Sequence, residues 1–180
     1  MIKLLDILLQ ENDEESIRVP LRSPEERNKN YLIATNRKIQ QYIKDGSVGD
    51  LDLSDTPITS LPDGLKVNGY LNLYGTKITA LPDGLKVNGY LDLDGTQITD
   101  LPTDLKVGGY LNLYGTPITH LPDGLKVGGY LGLSRTQITH LPANLEVGGW
   151  LNLSSTPLSK SHTEEQIKQM APGVKGNIYL

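Results

Sequence analysis

The sequence predicts a repeat solenoid with a single parallel β-sheet on one face, an irregular or polyproline-like return side, an α-helical N-terminal cap and a helix-plus-strand C-terminal cap. Three observations predict it. Rungs begin at Asp50, Tyr70, Tyr90, Tyr110, Tyr130 and Trp150 with no insertion or deletion between them, and self-similarity at a short fixed period marks a stacked, quasi-one-dimensional architecture. Within a rung the apolar residues alternate, as in "YLNLY" from Tyr70 to Tyr74. Leu71 and Leu73 therefore share one face of a short strand, and Tyr70, Asn72 and Tyr74 share the other. Pro62, Pro82, Pro102, Pro122 and Pro142 then recur in the return segment. A residue without an N–H cannot serve a central paired strand, so the return side is expected to run extended and without regular pairing.

Taken in order, the elements divide into a helical segment and cap over residues 1–49, a solenoid over 50–160 and a C-terminal cap over 161–180. Ile2, Leu5 and Leu9 could form one or two amphipathic turns, joined through the polar "ENDEES"; so short a helix needs a surface to lie on. A longer helix is expected from Ser23 as N-cap, with Pro24 in its first position and Glu26 closing a capping box, to Lys44 before Asp45-Gly46. Leu32, Ile39 and Ile43 line one face of it, suited to covering the first rung.

Stacking at about 4.8 Å puts Leu71 between Leu51 and Leu91, and so on down every column. Each buried side chain contributes about 1.5–3 kcal/mol. About six apolar columns offset the ordering entropy of a rung only when several rungs cooperate, giving a sheet of six or seven strands about 30 Å long. Gly75, Gly95 and Gly115 suit a turn with positive φ, but Arg135 and Ser155 take the same place. At Arg135 the special backbone angle is expected to be absent or strained. Beyond the last rung, Thr163 and Gln166 make a capping pair for a helix running to about Met170, and Pro172-Gly173 stop it. The tail "GNIYL" echoes "GYLNL", so Ile178 and Leu180 could return as a seventh strand.

"LNLYGTKITALP" resembles the leucine-rich repeat pattern, with Leu71, Leu73, Thr76, Ile78, Leu81 and Pro82 on its consensus positions. The twenty-residue period and the LPxxL continuation are similar to the short bacterial class, and the rung flavour is similar to repeat proteins encoded by bacteriophages. The likeness covers roughly residues 50 to 160. It implies a concave sheet face that binds partners and says almost nothing about activity. Two departures stand out: Thr replaces the family Asn, and "KVNGY" replaces the usual leucine spacing. The Thr column, Thr56 to Thr156, is expected to satisfy backbone groups of the turn in the adjacent rung.

Composition bounds the chemistry. The chain has 180 residues, 37% hydrophobic and 21% charged, enough for one sizeable core. With no cysteine, disulfides, thiolate metal sites and cysteine nucleophiles are excluded. "MIKLLDILLQ" contains Asp6, lacks a small-residue cleavage site and is too short to span a bilayer. No signal peptide and no membrane span are therefore expected, and the resemblance suggests the cytoplasm of a bacterial or phage-infected cell, or a virion. Seventeen basic against 21 acidic residues, a net charge of −4, offer no broad footprint for nucleic acid.

The changing positions carry the candidate function. On the outward sheet face they read Asp50, Asp52, Ser54; Tyr70, Asn72, Tyr74; Tyr90, Asp92, Asp94; Tyr110, Asn112, Tyr114; Tyr130, Gly132, Ser134; Trp150, Asn152, Ser154. Rigid aromatic faces flanked by amides, hydroxyls and carboxylates suit protein hot spots or sugar rings. The candidate partner-binding residues are Tyr70, Asn72, Tyr74, Tyr90, Asp92, Asp94, Tyr110, Asn112, Tyr114, Tyr130, Trp150 and Asn152. The structural alternative is that Tyr70, Tyr90, Tyr110, Tyr130 and Trp150 stack on themselves as a cross-strand ladder, a role for which Tyr74 and Tyr114 are not needed.

Other columns carry weaker signals. A second Thr column, Thr59 to Thr139, could suggest ice binding, but intervening Lys and Asp roughen the surface and solvated turn threonines are ordinary. Asp100, His120 and His140 share a column that could supply metal ligands, against the plainer reading of a solvated edge. Lys66, Lys86, Lys106 and Lys126 form a basic ridge that could touch phosphates, and Asp63, Asp83 and Asp123 are expected to pair with it locally. Carboxylates on an open sheet cannot exclude water, so no catalytic residue, metal or cofactor is expected. The expected function is non-enzymatic recognition of a protein partner. Glycan binding by the same face, and an assembly role docked through "MIKLLDILL", are the alternatives.

Overall fold

The computed structural model describes residues 23–180; the amphipathic turns and docking role expected for the first twelve residues lie outside the described residues. In chain order the elements are α1 (Pro24–Lys44), β1 (Leu51–Asp52), β2 (Lys66–Val67), β3 (Leu71–Asn72), β4 (Lys86–Val87), β5 (Leu91–Asp92), β6 (Lys106–Val107), β7 (Leu111–Asn112), β8 (Lys126–Val127), β9 (Leu131–Gly132), β10 (Glu146–Val147), β11 (Leu151–Asn152), α2 (Pro157–Ser161), α3 (Glu164–Met170) and β12 (Ile178–Tyr179). The chain winds into a parallel β-solenoid.

The strands form two sheets, not one. The first has seven strands in the order β1-β3-β5-β7-β9-β11-β12, and the second has five, β2 to β10. Every pairing is parallel, and every pairing between rungs is offset by one rung, as in Leu71↔Leu91 and Val87↔Val107. The expectation of an unpaired return side is therefore corrected. The prolines occupy the stretch before the second sheet, four residues ahead of Lys66 and its counterparts, so each Lys-Val pair keeps its N–H groups and hydrogen-bonds to the neighbouring rung. Asn88 N–H donates to Val67 O at 2.8 Å, for example.

Six apolar columns fill the interior: the two strand leucines, the isoleucine, the leucine before proline, and the leucine and valine of the second sheet. Leu71, Leu73, Ile78 and Leu85 are all at 0% exposure. The Thr column lies among them and behaves differently from expectation. Each buried hydroxyl donates to the leucine carbonyl three residues earlier in its own rung, as from Thr96 Oγ1 to Leu93 O at 2.6 Å. The same carbonyl takes the Thr96 N–H at 3.1 Å. Threonine fastens its own turn, whereas the expected bonds ran to the adjacent rung; its hydroxyl is too short to leave the local turn.

Glycine sets how closely rungs approach. Gly89, Gly109, Gly129 and Gly149 each donate to the glycine carbonyl one rung back at 2.9–3.0 Å. A methyl group on Gly109 would sit 2.7 Å from Gly89 O. At the turn after the first strand, all six rungs keep positive φ, including Asp55 at 54°, Arg135 at 59° and Ser155 at 63°. The special angle expected to fail at Arg135 is therefore present, held by the bonding of the flanking strand at a conformational cost of about 1–2 kcal/mol.

Helix α1 begins at Ser23, whose hydroxyl accepts from Glu26 N while the Glu26 carboxylate accepts from Ser23 N. Its buried face is Thr35, Ile39 and Tyr42. Leu32 and Ile43, expected on that face, are 37% and 39% exposed. The polar-tipped Tyr42 takes the place of Ile43 because its hydroxyl lies 2.9 Å from both Ser47 O and Gly49 O. Lys38 Nζ donates to Asp52 O at the first strand.

At the far end, Thr156 accepts from Ser159 N and opens α2, an element the sequence reading did not anticipate. Helix α3 follows from a Thr163–Gln166 capping box and buries Ile167. The tail then pairs with both sheets: Val174 bridges Val147, and β12 lies parallel to β11 with Leu151↔Ile178. Among the described residues no helix is long and apolar enough to cross a membrane.

Candidate recognition face

The alternation in each first-sheet strand turns the leucines inward and leaves the even-numbered residues outward, where parallel register aligns them in columns. The column Tyr90, Tyr110 and Tyr130 is an edge-to-face ladder, with ring centroids 6.2 and 6.1 Å apart and interplanar angles of 76° and 74°. This is the preferred quadrupole arrangement of aromatic pairs. Tyr110 leans over the next rung, where a methyl on Gly129 would meet its ring at 2.5 Å. Trp150 stacks at 5.7 Å and 70° on Tyr179. Tyr70 joins no such stack among the described residues.

The second outward column serves the turns. Asn72, Asp92, Asn112 and Asn152 each accept, through Oδ1, the backbone N–H two residues on, at 3.0–3.2 Å. Asp52 does the same for Ser54 at 3.0 Å. Asp92 is the most heavily used: it also takes the Tyr90 hydroxyl at 2.9 Å and Asn112 Nδ2 at 2.9 Å. These side chains are therefore partly structural, which limits what they can offer a partner.

Electrostatics follow from that arrangement. Burial, with the Asp92 carboxylate as hydrogen-bond partner, pushes the Tyr90 phenol well above its usual range. Burial and then the neighbouring Asp92 raise the Asp94 carboxyl. The Asp52 carboxyl is lowered, chiefly by its bond to the Ser54 N–H, then by the Ser54 side chain and Lys38, against an opposing effect of burial.

The third column holds exposed aromatics outside the tyrosine ladder, although Tyr110 and Trp150 of the first column are more exposed, at 56% and 54%. Tyr74 is 46% exposed and Tyr114 36%, and neither joins the tyrosine ladder. Tyr114 does support a cation: the Arg135 guanidinium lies 5.3 Å from its ring centroid. Sequence reasoning missed three participants. Tyr179 was implied by the "GNIYL" echo. Ser134 was placed on the face but not among candidate residues, and Arg135 was read only for its backbone.

The remaining candidates are not brought together as chemistry. Asp100 and His120 form an exposed 3.2 Å pair, and His140 Nδ1 instead neighbours Thr139 Oγ1 at 3.2 Å. Among the described residues no three such groups converge on a metal position. On the second sheet, Lys126 pairs with Glu146 at 2.8 Å. Lys66, Lys86 and Lys106 form no ion pair among the described residues, so the expected pairing with Asp63, Asp83 and Asp123 is corrected. A turn at Asp63-Gly64, with Gly64 at φ 68°, and its counterparts in the other rungs separate those carboxylates from the strand lysines. Compared with protein-family models and with characterised proteins, the chain matches none.

Proposed function

We propose that the protein is a non-enzymatic recognition module whose outward first-sheet face binds a protein partner. The observation that carries the reading is the exposure of Tyr74 and Tyr114 outside the aromatic ladder. Stability gives the ladder tyrosines a use, but it gives these two little. Large, rigid rings with few torsions bury much area at low entropic cost, which is why tyrosine is enriched at interface hot spots. The resemblance of the rungs to leucine-rich repeats points the same way.

The test is affinity capture from cells of the source organism with the wild type and a Tyr74→Ala, Tyr114→Ala double variant. Loss of the captured partner, with the thermal unfolding midpoint unchanged, is the expected result. Equal capture by both proteins sinks the reading. A glycan array distinguishes the alternative ligand: saturable binding there, abolished by the same variant and without any captured protein, transfers the face to sugars.

A further inference from the structure

The fifth rung breaks the outward pattern at neighbouring positions. Where five rungs carry Asn or Asp in the second outward column, it has Gly132; at the following turn, where three rungs have glycine, it has Arg135. With no side chain at Gly132 the turn bond made in the other rungs is missing. The Tyr130 ring fills the space instead, lying 2.8 Å from where a Gly132 methyl would be. Ser134 is only 7% exposed, and its hydroxyl is buried without a hydrogen-bond partner.

The unpaired groups around this break have a common character. The Arg135 guanidinium rests on Tyr114 and makes no ion pair among the described residues. Asn152 faces Gly132 across the strand pair; its Oδ1 is occupied by Ser154 N, leaving the amide N–H groups. Arginine and amide N–H groups only donate, and a buried hydroxyl lacking a partner can donate to any arriving acceptor. The rest of the face has the opposite bias, with Asp50 and Asp52 in the first rung and Asp92 and Asp94 in the third. Arg135 is the one cation at the outward or turn positions of the six rungs. The third-rung carboxylates lie two rungs from Arg135, about 10 Å at strand spacing and comparable with the screening length of about 8 Å, so an anion is repelled from that rung and drawn to the fifth.

The geometry points to this niche as the seat of an acidic side chain, Asp or Glu, from the protein partner; the inference rests on the recognition reading above. The planar guanidinium offers a bidentate fork matched to a carboxylate, and Tyr114 backs it so that little side-chain freedom is lost on binding. Ser134 is closed to solvent in the free protein. It joins after a side-chain rearrangement at the rim, supplying a further donor to the bound oxygen.

The test is a titration of 15N-labelled protein with the peptide acetyl-Glu-Glu-Glu-amide, and with its Gln-Gln-Gln counterpart. Saturable shifts of the Arg135 Nε–Hε signal and of the Gly132 and Ser134 amides are expected with the Glu peptide alone. Arg135→Gly places the glycine of other rungs at a positive-φ site, so the fold is retained. This variant should weaken the Glu peptide at least about tenfold, Arg135→Lys should lose less, and Ser134→Ala a few-fold. Unchanged affinity in Arg135→Gly, shifts confined to the Lys66 to Lys126 column, or tighter binding of sodium glucuronate than of peptide would each overturn the proposal. The Tyr74→Ala, Tyr114→Ala variant separates the two readings. If it alone loses the partner while Arg135→Gly captures it normally, recognition by the face stands and the acidic anchor falls.

Discussion

The Tyr90 hydroxyl donates a 2.9 Å hydrogen bond to Asp92 Oδ2, two residues along the same strand face. The other oxygen of Asp92 accepts from Asp94 N and Asn112 Nδ2, so one carboxylate joins the aromatic ladder, its own turn and the next rung.

Removing that carboxylate should separate structural from recognition roles on this face. Asp92→Ala strands three donors and is expected to cost about 1–3 kcal/mol in urea unfolding. Asp92→Asn should cost less, because an amide oxygen serves the same turn N–H in the Asn112 rung. With the charge gone, the phenol of Tyr90 and the carboxyl of Asp94 should both titrate closer to their ordinary ranges, since Asp92 contributes to each shift. An Asp94 titration followed by NMR that stays where it was would leave burial alone as the cause.

Rung spacing should be far less tolerant than turn geometry. Gly109→Ala puts a methyl 2.7 Å from Gly89 O, whereas at Gly115, with φ 67°, a methyl meets nothing within 4 Å. The first substitution has only backbone to push against and should lower stability by about 1–3 kcal/mol or more. The second carries the left-handed penalty alone, about 1–2 kcal/mol, and the folded chain already bears that penalty at Arg135 and Ser155. Comparing the two thermal midpoints checks the ranking, and an equal loss would argue that the rungs can slide apart.

These contrasts explain how far sequence reading reached. The Leu71, Leu73, Ile78 and Val87 columns were legible because a side chain repeated at a fixed offset must meet its own copy. The second sheet was not, since a Lys-Val dipeptide is too short for periodicity and its pairing runs through backbone groups common to every sequence. On the face, alternation located Tyr90, Tyr110 and Tyr74 alike. Which of them stacks depends on rotamers, and those depend on features such as the bare Gly129 beneath Tyr110. The buried face of α1 was misjudged at Ile43 for a related reason. Tyr42 is preferred inside because its hydroxyl finds carbonyl partners at the helix exit, a three-dimensional fact that hydropathy does not carry.

Acid and base should act on the face through opposite signs. The Asp94 carboxyl is raised in the folded state, so its contribution to stability is complete below the ordinary carboxylate range and is lost as pH rises through the raised value. Asp52 is lowered; its contribution is complete above the ordinary range and is lost as pH falls through the depressed value. Asp94→Asn should therefore stabilise the protein at neutral pH, with the gain vanishing in acid. Asp52→Asn, which can keep the Ser54 N–H bond, should destabilise it at neutral pH and lose that effect in acid. Denaturation midpoints measured across the carboxylate range give both differences, and parallel pH profiles for wild type and variants would contradict the assignment.

The lysine column offers a stability gain without touching the outward face of the first sheet. Lys106 lies in register between Lys86 and Lys126, an arrangement in which like charges oppose one another directly across adjacent strands. The next rung already relieves it: Glu146 takes that position and holds Lys126 at 2.8 Å. Lys106→Glu extends the relief, and since these side chains are exposed the gain should be no more than about 1 kcal/mol. Lys106→Gln removes repulsion without adding attraction and should give a smaller gain. Both gains should shrink as salt is raised, because the interaction is screened over about 10 Å at 0.1 M ionic strength. A gain independent of salt would instead implicate packing of the longer lysine stem, and a loss in both variants would mean that the stems stabilise the sheet more than their charges oppose it.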